Sequence, residues 1–173
     1  GLWVQSVSAD LTTHIEGRRL DDDVSALLRF EGGARGTLKA SQVAAGEENG
    51  LRLRIHGERG GLDWSQMEPN TLTLRWLDRP AEIVRTGGPG MLDATATLVR
   101  TPAGHPEGYI EAFGNLYRAF ASAIRGDLGG SGGYDRWFPG VTDGLRTMRF
   151  IEAVIANAGA DQKWTLVNPG ENE

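Results

Sequence analysis

The chain has 173 residues, 39% hydrophobic and 24% charged, a balance that fits one globular domain and is too short for two full-sized ones. A formal net charge of -5 argues against a nucleic-acid partner, which needs a basic face. The absence of cysteine removes disulfides and thiolate metal sites, and agrees with a reducing, cytoplasmic setting.

The first half reads as sheet. Residues 3–11 alternate with Val7, Ala9 and Leu11 on one face, and residues 24–30 repeat the pattern through Val24, Ala26, Leu28 and Phe30. A turn at Glu31-Gly32-Gly33-Ala34 leads into a strand at 35–43, which predicts a hairpin. Leu51, Leu53 and Ile55 then alternate with Arg52, Arg54 and His56. After the Glu58-Arg59-Gly60-Gly61 turn come strands at 62–66, at 71–76 and at 81–86. Short connections favour an antiparallel meander. Arg52, Arg54, His56, Thr71, Thr73 and Arg75 fall on a polar face that either is solvated or meets a partner.

From Gly87 to Gly104 periodicity is lost, and the segment is expected to be loop. A helix follows over 106–126. Its stripe of Ile110, Phe113, Tyr117, Phe120 and Ile124 reads as core, with Pro106 in the first turn and Gly126 at the stop. The glycine run at 127–133 reads as a linker, beside which Asp135, Arg136, Trp137 and Phe138 could border a pocket. A second helix is expected at 143–157, capped by Thr142, with Leu145, Met148, Ile151, Val154 and Ile155 buried. A closing strand at 163–167 and a frayed tail from Asn168 complete the chain. Strands first and helices later predict an α+β fold: a mostly antiparallel, open-faced sheet with both main helices on one face, forming a single domain over 1–173.

The histidines His14, His56 and His105 are too far apart in sequence for a histidine-rich metal site, so no metal is expected, and no serine sits in a nucleophile elbow. Asp21-Asp22-Asp23 reads as a solvated turn, and Glu107 and Glu111 as carboxylates favoured by a helix N-terminus. The functional candidates are His105, at the mouth of the first helix where the dipole disfavours imidazolium, Tyr109, which could offer a phenol, and Arg100, which could meet an anion.

The segment GHPEGYIEAFGNLYRAF, with LRLRIHGERGGLDWSQMEPNTL before it and WFPGVTDGLRTMRFIEAV after it, closely resembles the C-terminal half of the Gfo/Idh/MocA oxidoreductases, the group of glucose-fructose oxidoreductase and inositol dehydrogenase. The resemblance implies a substrate-binding and oligomerisation domain of the kind found C-terminally in glyceraldehyde-3-phosphate dehydrogenase. Its expected partners are its own N-terminal Rossmann domain, which binds NAD or NADP, a sugar or polyol substrate, and further copies through the open sheet face. The family's glycine fingerprint and its E-K-P lysine do not occur in this sequence. No catalytic or cofactor-binding residue is therefore expected here, and no cofactor bound to this chain; those residues are expected upstream of Gly1, a first residue that itself suggests a trimmed chain. His105 carries over as a substrate-pocket residue. A non-catalytic binding or scaffolding module is the alternative left open. No apolar run reaches membrane-span length and no signal peptide opens the chain.

Overall fold

The computed structural model describes residues 2–126 and 137–167; the linker at 127–133, Asp135, Arg136 and the tail from Asn168 lie outside the described residues. In chain order the elements are β1 (Val4–Thr12), β2 (Asp23–Phe30), a 3-10 turn (Glu31–Gly33), β3 (Arg35–Ser41), β4 (Arg52–His56), β5 (Gly60–Ser65), β6 (Thr71–Trp76), β7 (Glu82–Arg85), α1 (Asp93–Ala96), α2 (Tyr109–Arg125), α3 (Val141–Ala158) and β8 (Thr165–Leu166). The class is α+β with antiparallel pairing throughout, as alternation and short turns dictate.

The strands divide into two four-stranded sheets, ordered β3-β2-β1-β8 and β4-β5-β6-β7. Each sheet belongs to its own compact unit: Gly1–Gly46 with Pro139–Glu173, and Glu47–Phe138. Of the two main helices, α3 belongs to the first unit and α2 to the second.

In the first unit, register places Val7, Leu28 and Gly36 in one row and Ala9, Ala26 and Leu38 in the next. This apolar face meets Ala153 and Val154 of α3, and Val7 is fully buried. The opposite face carries Ser8, Leu27 and Thr37, then Asp10, Ser25 and Lys39. Beyond Val7, β8 no longer runs beside β1. The buried Asn157 of α3 takes over there: its Oδ1 accepts the Ala9 N–H at 2.6 Å, and its Nδ2 donates to Gln162 O (3.2 Å) and Thr165 Oγ1 (3.0 Å).

Helix α3 begins earlier than expected. Gly140, not Thr142, is the cap, and its N–H donates to the Asp143 carboxylate at 2.8 Å. Of its expected buried stripe only Val154 is buried; Leu145, Met148, Ile151 and Ile155 are all exposed, because the helix turns its small and amide residues to the sheet.

The aspartate run is a second correction. Asp21 is exposed, but Asp22 is 3% exposed and Asp23 is ion-paired to Lys39. The Asp22 carboxylate accepts the backbone N–H groups of His14 (2.8 Å) and Ile15 (3.0 Å), with Arg18 at 3.4 Å. The His14 amide first, then the Ile15 amide and Arg18 working against desolvation, hold this carboxyl below its ordinary 3.8. A depressed folded-state pKa adds stability above the unfolded pKa, and that stability is lost as pH falls through the lower folded value. Asp22→Asn should thus lower Tm by about 5 °C near neutral pH, and the gap should close below about pH 4. Thermal melts between pH 7 and pH 2 check this; a pH-independent gap would refute the ionised contact.

In the second unit, register sets Arg54, Asp63 and Thr73 in one row and His56, Gly61 and Arg75 in the next, so the expected polar face exists. Arg54 and Arg75 both approach Asp63 Oδ2, at 2.8 and 3.5 Å.

Candidate functional site

The loop carrying His105 belongs to the second unit, and three amide or carboxyl side chains pin it. Glu107 lies before α2, which starts at Tyr109 and not at Pro106. Its Oε2 accepts the N–H groups of Arg100 (2.8 Å) and Thr101 (2.9 Å) and the Thr101 hydroxyl (3.1 Å). Its backbone is clamped in turn by Asn70 of the β5–β6 turn: Asn70 Nδ2 donates to Glu107 O at 2.8 Å, and Glu107 N donates to Asn70 Oδ1 at 3.2 Å. Asn115 of α2 closes the far side, donating to Leu98 O at 2.7 Å and accepting from Nε of Arg100 at 2.7 Å and from its Nη2. A short helix, α1, interrupts what was expected to be plain loop.

The close approach of this loop to the end of β7 explains one glycine. Gly87 sits at φ +72°, and a Cβ there would lie 3.2 Å from Ala103 Cα. At the helix start, the Gly108 N–H donates to Glu111 at 2.7 Å. That amide, and then its own, hold the Glu111 carboxyl below the ordinary range, in line with its reading as a capping carboxylate.

His105 is exposed, and its backbone is held at both ends: N donates to Pro102 O at 3.1 Å, and O accepts from the Thr101 hydroxyl at 3.2 Å. Ring Nδ1 lies 3.2 Å from Pro102 O. A carbonyl only accepts, so this contact requires the proton on Nδ1, and in the neutral ring Nε2 is then the acceptor. The arrangement can receive a hydroxyl proton in a hydrogen bond, but among the described residues no carboxylate is hydrogen-bonded to the His105 ring.

The three sequence candidates are not brought into mutual contact by any hydrogen bond among the described residues. Arg100 and His105 are joined indirectly, through Thr101 and Glu107. The Arg100 guanidinium is turned to Asn115, and Tyr109 lies against Phe113 with ring centroids 4.7 Å apart. Asn70, Thr101, Glu107 and Asn115 are the residues that sequence reasoning missed or underrated. Phe138 meets Phe120 edge to face at 5.6 Å, so it packs on α2.

A hollow of about 650 Å³ lies in the first unit, lined by Trp3, Phe150 and Leu166 among others, with Arg146 stacked 4.0 Å over the Trp3 ring. It holds none of the candidates. Among the described residues no group of three or more His, Asp or Glu could hold a metal ion, and no helix is long and apolar enough to cross a membrane.

Residues 1–63 match the GFO/IDH/MocA C-terminal domain family. The chain is 31% identical over 147 residues to the uncharacterized oxidoreductase YfiI of Bacillus subtilis (strain 168), covering 84% of this chain and 37% of that protein. An oxidoreductase structure from Sinorhizobium meliloti superposes with TM-score 0.88 at 38% identity, over 95% of this chain and 46% of that one. An inositol dehydrogenase homolog from Azotobacter vinelandii, complexed with NADH and myo-inositol, superposes with TM-score 0.85 at 28% identity, over 95% of this chain and 44% of that one. The chain thus spans less than half the length of these relatives. By sequence, fold and coverage, it belongs to the Gfo/Idh/MocA oxidoreductase family as the C-terminal domain of that family.

Proposed function

We propose that this chain is the substrate-binding and assembly domain of a cytoplasmic NAD(P)-dependent oxidoreductase that moves hydride between nicotinamide and a hydroxyl of a sugar or polyol. The observation that carries the reading is the match of nearly the whole chain to half of a dehydrogenase homolog holding both NADH and a polyol. The residues present do not form a dinucleotide cradle: the sequence contains no G-x-G-x-x-G. Cofactor and catalytic base therefore belong to the rest of a longer protein, and this chain alone transfers no hydride.

The role left to the chain is orientation. His105, with Nδ1–H tied to Pro102 O, directs Nε2 outward to accept a hydrogen bond from a substrate hydroxyl. Tyr109, 63% exposed, and Arg100 border the same loop and helix mouth, and take further substrate oxygens. In the full-length protein, His105→Ala should lower kcat/KM by about 10- to 100-fold, the loss expected for one well-placed polar contact. Steady-state kinetics on a panel of polyols checks this, and an unchanged kcat/KM would remove His105 from the site.

Assembly into a homo-oligomer uses a sheet face. The polar face of the second sheet carries Arg52, Arg54, Arg75 and Arg85 against Asp63, and would repel its own copy. The outer face of the first sheet, with Ser8, Ser25, Thr37 and the half-exposed Leu27, suits self-association better.

A further inference from the structure

Of the chain's asparagines, Asn49 alone is followed by glycine. The pair lies at the entry to β4, just inside the second unit, with Asn49 exposed at a bend. The Asn49 backbone is held. Its carbonyl accepts the Leu51 N–H at 2.9 Å and Gln66 Nε2 at 3.4 Å, and Leu51 O accepts the Gln66 N–H at 2.9 Å. The Asn49 carboxamide and the Gly50 N–H, by contrast, meet no hydrogen-bond partner among the described residues. A side-chain amide carbon and the next peptide nitrogen thus lie adjacent, reachable by water and bound to nothing else. Glycine removes the remaining obstacle, since a Cβ on residue 50 would crowd the side chain as it folds back onto its own backbone. The other described asparagines are spent: Asn70, Asn115 and Asn157 all donate from their carboxamides. The chemically related pair Asp143-Gly144 is tied too, its Gly144 N–H donating to Gly140 O at 3.1 Å in the first turn of α3.

We propose that Asn49 is a self-modifying site that converts to aspartate and isoaspartate without an enzyme or cofactor. The Gly50 nitrogen attacks Asn49 Cγ and gives its proton to solvent. The bond from Cγ to the side-chain nitrogen breaks, and that nitrogen takes up a proton and leaves as ammonia. A five-membered cyclic imide remains. Water opens it at either carbonyl, and the ring nitrogen regains its proton, so one water is consumed for each ammonia released. Opening at the former main-chain carbonyl gives isoaspartate, in which the chain runs through Cγ and is one carbon longer. The old carbonyl is then displaced from the Leu51 N–H and from Gln66 Nε2, the groups that tie the entry of β4 to the end of β5. Strand β4 is an edge of its sheet and has β5 as its one neighbour there, so no second strand holds it in place. Either product also sets a new negative charge beside Glu47 and Glu48.

Full-length protein held folded at physiological temperature and mildly alkaline pH, then digested with trypsin in mildly acidic buffer, tests this. The peptide of residues 40–52 should gain about 1 Da and split into two new chromatographic peaks, aspartate and isoaspartate. Peptides carrying Asn70, Asn115 and Asn157 should stay unchanged. Gly50→Ala should slow the conversion at least about tenfold. Its methyl group would meet only Glu47, with Oε2 at 2.7 Å, the end of a flexible side chain that swings aside, so the fold survives the change. An unmodified 40–52 peptide from the folded protein, while the same synthetic peptide converts, would overturn the proposal, because the fold would then protect the pair. Equal conversion at the other three asparagines would overturn it as well, and so would an unchanged rate in Gly50→Ala.

Discussion

Replacing Asn157 by Leu should cost about 3 kcal/mol of unfolding free energy, roughly 10 °C in Tm, although Leu has the same heavy-atom branching and is the more hydrophobic residue. The reason lies in the edge of β1. Strand β8 pairs only with Ser6 and Val7, so the next inward N–H, that of Ala9, would face α3 with no strand partner. Asn157 is 4% exposed and supplies the acceptor at 2.6 Å, while its amide donates to Gln162 O and Thr165 Oγ1, fixing the approach to β8. Leucine would leave these groups buried and unpaired, and the penalty for an orphaned buried amide exceeds the gain from one more apolar side chain. Urea denaturation followed by tryptophan fluorescence measures the change. A shift no larger than that of an exposed substitution such as Ala156→Ser would refute the stapling role.

Asn157 also illustrates where sequence reading stops. Strands were legible because a pleated surface with one covered face must alternate, and Val7, Ala26 and Leu28 report that face directly. The glycine that ends α2 was legible too: Gly126 adopts φ 73°, the left-handed stop that a side chain resists. Periodicity, however, reports that a helix has an apolar stripe and says nothing of what covers it. In α2 and α3 most of the expected apolar stripe is exposed while alanine, serine and asparagine are buried, and in α3 only Val154 and the half-buried Phe150 add large apolar side chains to the core. Periodicity and Pro106 placed His105 just before the helix, where it lies ahead of α2. They could not reveal that Asn70, 37 residues before Glu107, grips that loop, because no local pattern marks an amide whose partner is distant. Asp22 was misjudged for a related reason. A run of three carboxylates looks solvated until the chain curls so that two backbone amides point at the middle one.

Glu107 is the residue whose change should matter most to the proposed reaction after His105 itself. It is a positioning residue. Its single oxygen Oε2 gathers the N–H groups of Arg100 and Thr101 and the Thr101 hydroxyl, and that hydroxyl also holds the His105 carbonyl. Glu107→Ala releases all three donors, each a contact to an ionised acceptor and individually worth about 1.5–3 kcal/mol, so the loop bearing His105 loses its fixed direction. In the full-length protein kcat/KM should fall by about tenfold or more, chiefly through kcat if the histidine contact tightens in the transition state. Glu107→Gln keeps an acceptor at the same distance and should recover much of the loss. The decisive comparison is the double variant. If Glu107 acts through His105, then Glu107→Ala combined with His105→Ala should be scarcely worse than His105→Ala alone, because the loop has nothing left to aim. Losses that multiply would mean Glu107 supports the site by a route independent of the histidine. A Glu107→Ala protein with unchanged kinetics would mean that the loop needs no such anchor once substrate is bound.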